Sequence, residues 1–253
     1  MLGTFVEISL LTPQTAVHEN RSENGFAKAY GAIEKISASM NFHDNQSELF
    51  AFNESPLKTW IPIRPDFALV LKLSLDLQRQ SSGVFNVAVG DFQFLNRPGF
   101  EVRRHKKTFQ ARRVLPIKIN LGGIAKGYAV DQAVKILKKN GFESGCVNAG
   151  GDLKIFGSFP QKVLVRSVKN NRQAHEIFIQ DTSLATSEVV VPEGRTSYFD
   201  IARGKTLRRR RLAVVKARRC VIADALTKIA LLAPPSTSAR IARHYHAQMV
   251  VFK

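Results

Sequence analysis

The feature that most constrains this chain is a glycine turn that opens a helix. It lies in the stretch Ile119-Asn120-Leu121-Gly122-Gly123-Ile124-Ala125-Lys126-Gly127-Tyr128-Ala129-Val130-Asp131. Strand-like residues come first, the two glycines turn the chain, and apolar residues then recur at helical spacing until Gly141. Glycines let backbone N–H groups approach a ligand closely, and Lys126 places an ammonium in the first helical turn. This combination is typical of an anion-binding site.

A second glycine turn follows the helix. After an apolar strand around Val147, the chain runs Asn148-Ala149-Gly150-Gly151-Asp152 and continues as a strand to Phe156. A glycine turn alone usually serves only chain reversal. Two such turns flanking one helix, with a lysine at the start of that helix, favour a phosphate-bearing ligand in a cleft where the turns converge.

These motifs resemble those of the FAD:protein FMN transferases, the ApbE family. The strongest match is residues 121–131, followed at the family's spacing by residues 148–152. Weaker matches occur in order at Gly3-Thr4, Ser47-Glu48-Leu49 with Asn53, Gly83-Val84-Phe85, Ala185-Thr186-Ser187 and Ala223-Asp224-Ala225-Leu226. The resemblance covers almost the whole chain and implies one α+β unit over residues 1–253, with mixed or antiparallel sheets and a flavin cleft between the glycine turns.

The resemblance also implies an activity. FAD would be the substrate, and FMN would pass to a threonine hydroxyl of an acceptor flavoprotein with release of AMP. The implied flavin-binding residues are Asn53, Gly122, Gly123, Lys126, Asn148, Gly150, Gly151, Asp152, Thr186 and Ser187. Lys126 is also a catalytic candidate, because the pyrophosphate charge must be neutralised during the transfer.

Three positions depart from the family pattern. Asn86 and Asn120 stand where relatives carry aspartates, and Tyr198 stands about where the family histidine belongs. Tyr198 is therefore the candidate for the catalytic base, although tyrosine, with a reference pKa of about 10, is a poorer base than histidine near neutral pH. A flavin-binding relative that no longer transfers FMN is the alternative interpretation.

The metal site departs as well. The resemblance implies Mg²⁺ bound by a carbonyl near Ala125, by Asp224 and by a threonine four residues later, but that position is Lys228 and the nearest threonine is Thr227. On a helix, Asp224 and Lys228 share a face and would pair. At about 4 Å an ammonium repels a divalent ion by roughly 2 kcal/mol even in bulk water. The lysine could replace the metal, the metal site could be lost together with the activity, or Lys228 could turn to solvent and leave Asp224 and Thr227 to hold Mg²⁺.

Composition adds a hypothesis from another functional class, namely a basic protein that binds nucleic acid or another polyanion. Lys and Arg number 38 against 20 Asp and Glu, which gives a formal charge of +18 and attracts polyanions non-specifically. No helix-turn-helix or zinc-finger motif supports a specific nucleic-acid ligand.

The sequence has no run of about 18 apolar residues that could span a membrane. Because no leader precedes Gly3-Thr4, we expect a cytoplasmic protein, unless a leader was removed.

The remaining pattern predicts further elements. We expect strands at Thr4–Leu11, Ile61–Ile63, Val163–Ser167, Glu176–Gln180, Val214–Ile222 and Met249–Phe252, and helices at Ala27–Met40, Phe67–Ser81, Ala225–Ala233 and Ser236–His246. The basic segment 97–113 predicts a solvated loop. Cys146 and Cys220 lie in apolar, strand-like runs and predict buried free thiols.

Overall fold

The chain contains both helices and antiparallel strands, with a long run of consecutive strands between α4 and α5. The structure is a computed structural model that describes residues 3–10, 19–89, 97–166, 174–189, 199–200, 205–206 and 210–252. The helices in these residues are α1 (Glu19–Met40), α2 (Glu48–Glu54), α3 (Pro65–Gln80), α4 (Ala125–Lys139), α5 (Cys220–Leu232) and α6 (Pro235–His244). The strands are β1 (Val6–Leu10), β2 (Ile61–Ile63), β3 (Ala88–Val89), β4 (Phe100–His105), β5 (Thr108–Arg113), β6 (Lys118–Ile119), β7 (Gly145–Ala149), β8 (Asp152–Phe156), β9 (Gln161–Arg166), β10 (Ala174–Ile179), β11 (Ser183–Val189), β12 (Phe199–Asp200), β13 (Lys205–Thr206), β14 (Arg211–Ala217) and β15 (Gln248–Phe252).

The main sheet has the strand order β1-β7-β8-β11-β14-β15, and its described pairings are antiparallel. A three-stranded sheet has the order β2-β5-β4, and the pairs β3/β6, β9/β10 and β12/β13 form short ribbons. Antiparallel sheets with helices between them confirm the predicted α+β class. Among the described helices, none is long and apolar enough to cross a bilayer.

The two faces of the main sheet are covered differently. Successive strand residues point to opposite faces, so Phe156 of β8 packs into the large core with α4 and α5, whereas Leu153 and Ile155 face the other way. On that other face they pack against Val165 of β9 and Ile179 of β10. Helix α1 packs on α4 from outside. The sheet therefore separates a helical side from a side covered by the β9/β10 ribbon.

Most predicted elements in the described residues are confirmed, with shifts of a few residues at their ends. Helix α1 begins earlier than predicted, at Glu19. Helix α2 is not among the helices predicted from the sequence, and Ser47 is the residue that caps its start. Its hydroxyl accepts a hydrogen bond from Phe50 N at 2.9 Å and satisfies one of the N–H groups that a helix start leaves without a partner.

The prediction of a solvated loop over residues 97–113 is wrong. Strands β4 and β5 form a hairpin there, and β5 also pairs with β2. Phe100 and Ala111 are buried on the inner side, while Arg103 and Arg112 lie over the ring of Trp60, their guanidinium carbons 3.9 and 4.5 Å from its centroid. The basic residues dominate the composition, but they occupy the outer face of a strand pattern whose inner face is apolar.

The predicted strand Val214–Ile222 is also wrong in its second half. Strand β14 ends at Ala217, and α5 begins at Cys220. The carboxylate of Asp131 accepts hydrogen bonds from Cys220 N and Val221 N at 2.8 and 3.0 Å, and this interaction starts the helix. Both cysteines are free, as predicted, with Cys220 buried and Cys146 half-buried.

Helices α4 and α5 approach each other most closely at Gly127. A Cβ atom on Gly127 would lie 2.7 Å from the carbonyl carbon of Cys220 and 2.8 Å from Cβ of Asp224. These neighbours belong to the backbone and to a fully buried side chain, so neither can move aside easily. Glycine at this position lets the start of α4 lie against the start of α5.

Replacing Gly127 by alanine should lower the free energy of unfolding by about 1–3 kcal/mol, because an extra methyl group overpacks the helix contact. The matched control is Gly31→Ala in α1, where an added Cβ meets no atom within 4 Å. The free energy of unfolding of that variant should rise by roughly 0.5–1 kcal/mol, because alanine has a higher helix propensity than glycine. Urea unfolding of both variants checks the prediction, and equal stabilisation of the two would contradict it.

Candidate functional site

Two cavities meet at Thr4, just before β1. One has a volume of about 890 Å³, lies on the ribbon side of the sheet, and is lined by residues that include Thr4, Asn148, Gly150, Gly151 and Thr186. The other has a volume of about 630 Å³, lies on the helical side, and is lined by residues that include Thr4, Asn120, Gly122, Ala125 and Lys126. The two predicted glycine turns therefore open into neighbouring cavities that share Thr4.

The glycine turns are held by short amide side chains. Asn120 Oδ1 accepts a hydrogen bond from Gly122 N at 2.9 Å, and Asn148 Oδ1 accepts one from Gly151 N at 3.0 Å. These two N–H groups are committed within the turns, which corrects the expectation that they are available for a phosphate. Gly150 and Gly151 adopt φ values of +63° and +92°, which favour glycine.

Lys126 connects the two turns. Its Nζ lies 3.1 Å from Oδ2 of Asp152, the residue that follows Gly151. Asp152 is 1% exposed, and its Oδ1 is buried with no hydrogen-bond partner among the described residues. Burial and the nearby carboxylate of Asp224 raise the pKa of Asp152 to about 6, although Lys126 and Lys228 act in the opposite direction. The ion pair keeps the ammonium at the start of α4, beside the helical-side cavity.

Asp224 is fully buried, and its oxygens are occupied. Oδ2 accepts a hydrogen bond from Gly127 N at 3.0 Å, Oδ1 pairs with the ammonium of Lys228, and the backbone oxygen accepts from Lys228 Nζ at 3.0 Å. Burial alone would raise the pKa of Asp224, but the ammonium groups of Lys228 and Lys126 outweigh burial and lower it. The predicted side-by-side arrangement of Asp224 and Lys228 is confirmed.

The residues in this place do not fit a Mg²⁺ ion. Mg²⁺ requires a near-octahedral set of oxygen ligands, whereas Asp224 already pairs with an ammonium. The Thr227 hydroxyl bonds to the backbone oxygen of Asp224 at 2.6 Å and to the Ser187 hydroxyl at 2.7 Å. In the described part of the chain, no three His, Cys, Asp or Glu residues cluster as metal ligands. We therefore assign no chemistry to a metal here.

Two predicted flavin-binding residues, Thr186 and Ser187, lie on opposite faces of β11. Thr186 lines the ribbon-side cavity and donates a long hydrogen bond of 3.5 Å to Gly151 O. Ser187 faces α5, where its hydroxyl bonds to Thr227. The alternation of strand side chains separates the two, so only Thr186 directs its side chain toward the ribbon-side cavity.

Asn53 is tied to the backbone ahead of the first glycine turn. Its Nδ2 donates to Ile119 O at 2.9 Å and its Oδ1 accepts from Ile119 N at 2.8 Å, so both polar atoms hold β6 in place. With 3% exposure, its described role is to position the turn, and direct contact with a flavin stays a prediction. Tyr198 lies outside the described residues.

The sequence reasoning missed several residues that line the cavities. His43 and Phe42 line the helical-side cavity, and Glu188 and Arg210 line the ribbon-side cavity as an ion pair. The local pattern around His43 is polar and aperiodic, so it gave no signal beyond a loop. Glu188 and Arg210 are adjacent only because β11 pairs with β14.

Comparison with known proteins identifies a family and a shared fold. The profile of the ApbE family matches residues 2–252. The chain belongs to the ApbE family. An FAD:protein FMN transferase from Haemophilus influenzae is 25% identical over 163 residues, which is 54% of this chain and 47% of that relative. The chain thus aligns with about half the length of that relative.

Solved structures share the fold. The ApbE protein of Thermotoga maritima superposes with a TM-score of 0.83 at 21% identity, covering 99% of this chain and 91% of that one. The flavin transferase ApbE of Vibrio cholerae gives a TM-score of 0.79 at 19% identity, covering 98% and 90%. At these identities the likeness concerns the fold.

Replacing Lys126 by methionine should destabilise the protein in a pH-dependent way. The native pKa of about 6 for Asp152 lies above the ordinary value of 3.8, so the stability that this carboxyl contributes is present at low pH and is lost as pH rises through 6. Without Lys126 the pKa of Asp152 rises further. The variant should lose little stability at about pH 5 and on the order of 1–3 kcal/mol at about pH 8, where an unpaired carboxylate must be buried or kept protonated.

Urea unfolding at both pH values measures this effect. The matched control is Lys135→Met on the exposed side of the same helix, which should show the same small change at both pH values. An equal loss in Lys126→Met at both pH values would contradict the prediction.

Proposed function

We propose that this chain binds FAD and transfers its FMN moiety to a threonine hydroxyl of an acceptor flavoprotein, with release of AMP. The observation that carries the proposal is the pair of cavities that meet at Thr4, beside the ammonium of Lys126 and the start of α4. Membership of the ApbE family supports it. FAD and an acceptor flavoprotein are the partners, and a cytoplasmic location stays a prediction.

The shape of the site suits a long ligand with a charged middle. FAD consists of two aromatic halves joined by a pyrophosphate. One half in each cavity would bring the pyrophosphate to the junction at Thr4 and Lys126. There, an ammonium and the positive end of the α4 dipole both stabilise an anion.

The reaction would be a displacement at phosphorus. The threonine oxygen attacks the phosphorus that carries the riboflavin moiety, the bond from that phosphorus to AMP breaks, and the threonine proton passes to a base. Lys126 would offset the charge that spreads over the phosphate oxygens and the departing AMP. Tyr198 stays the proposed catalytic base.

A labelling experiment tests the activity. The purified protein is incubated with FAD and a flavoprotein that carries an acceptor threonine, in parallel in Mg²⁺ and in EDTA, and is then resolved on a denaturing gel. Covalent flavin fluorescence on the acceptor is expected, and it should disappear when the threonine is replaced by valine. FAD binding without any covalent label would favour a flavin-binding relative that has lost the transfer step.

Replacing Lys126 by alanine should weaken FAD binding at moderate salt by about tenfold, because a hydrogen bond to a charged group contributes roughly 1.5 kcal/mol. Titration calorimetry near pH 7, with folding confirmed by circular dichroism, measures the change. Lys135→Ala lies in the same helix and keeps the same net charge as Lys126→Ala. It should bind FAD like the native protein. Unchanged affinity in Lys126→Ala would show that the lysine does not contact the pyrophosphate.

A further inference from the structure

We infer that the ammonium of Lys228 is the fixed cation of this site and that the chain binds the pyrophosphate of FAD without a divalent metal. The inference rests on the proposed function, and it assigns to one lysine the charge that a metal would otherwise supply. Three observations carry it: the position of the ammonium, its ion pair and hydrogen bond with Asp224, and the hydrogen bonds that the other nearby oxygens already make.

The first observation is position. The Lys228 side chain lies against the first glycine turn, since a Cβ on Gly123 would be 3.4 Å from Lys228 Cε. The Lys228 side chain is 16% exposed, so it does not extend into solvent. Lys126 lies three residues beyond the same turn. Two ammonium groups thus flank the place where the glycine turn and the start of α4 meet.

The second observation is the set of hydrogen bonds that the Lys228 ammonium makes. Nζ donates to Oδ1 and to the backbone oxygen of Asp224. An ammonium has three donors, so these two bonds leave a third for a phosphate oxygen. Because the carboxylate is fully buried and holds the ammonium, the cation is fixed before any ligand arrives.

The third observation concerns the oxygens that would have to bind a metal. Asp224 Oδ2 is used by Gly127 N, and the Thr227 hydroxyl is used by Ser187 and by the Asp224 backbone. A divalent ion at Asp224 would have to displace an ammonium from a buried carboxylate and then lie next to that displaced charge. The geometry favours a lysine that replaces the ion over a lysine that accompanies it.

The test is titration calorimetry of FAD in two buffers, one with EDTA and one with Mg²⁺. The native protein should show the same affinity in both, within about twofold, which corresponds to roughly 0.4 kcal/mol. Titration of the FAD-loaded native protein with Mg²⁺ should give no saturable heat. Lys228→Thr removes the charge and restores an oxygen four residues after Asp224, so this variant should bind FAD weakly in EDTA and recover when Mg²⁺ is added.

Lys228→Met is the matched control, because it removes the charge and adds no oxygen. It should bind FAD about tenfold more weakly in both buffers. Since it leaves the buried Asp224 carboxylate with the hydrogen bond from Gly127 N but without its ammonium, it could fail to fold. The double variant Asp224→Asn/Lys228→Met removes both charges together and should show the same weak, metal-independent binding.

Native FAD binding that drops at least about tenfold in EDTA overturns the inference while leaving the proposed function intact. Native-like affinity of the folded Lys228→Met or double variant also overturns it. FAD binding that is insensitive to EDTA but gives no covalent transfer supports the inference and contradicts only the transferase activity. If FAD binds the native protein in neither buffer, both the proposed function and the inference fail.

Discussion

Two carboxylates, that of the half-buried Asp131 and that of the fully buried Asp224, hold helices α4 and α5 together, and each caps the start of the other helix. Asp131 of α4 accepts the first two N–H groups of α5, and Asp224 of α5 accepts Gly127 N in the first turn of α4. Neither helix has a side-chain cap of its own at the preceding residue, although the first N–H groups of a helix need partners. Each carboxylate also lies at the positive end of a helix dipole. The position of Lys126, in the first turn of α4, depends on this mutual capping of the two helices.

The mutual capping of α4 and α5 also explains the pKa of Asp152 and the two ion pairs of the site. Asp224 must lie at the start of α4 to cap it, and this brings it close enough to Asp152 to raise the pKa of Asp152. Lys228 and Lys126 then balance the two carboxylates, one ion pair each. An anion that enters between the lysines would raise the pKa of Asp152 again, because added negative charge disfavours a carboxylate.

The sequence predicted the parts of this molecule that depend on local pattern. The glycine turn, the start of α4 and the Asp224–Lys228 pair follow from residue spacing along one element, and the structure has them as predicted. The Lys126–Asp152 pair, the separation of Thr186 from Ser187, and the Glu188–Arg210 pair depend on which strands pair and on which face a side chain points. The hairpin over residues 97–113 was missed for a different reason, since its basic residues hid the alternation of Phe100 and Val102.

The family resemblance implies aspartates at two positions that are asparagines in this chain. Asn120 Oδ1 accepts from Gly122 N and Asn86 Oδ1 accepts from Ala88 N, each at 2.9 Å and each two residues on. An amide oxygen accepts such a hydrogen bond as a carboxylate does, so the turns are kept while two negative charges are absent. If one ammonium takes the place of a divalent ion, as we infer above, fewer carboxylates are needed to balance it. Under that inference, the two asparagines carry no negative charge and Lys228 supplies one positive charge where the family resemblance implies a divalent ion.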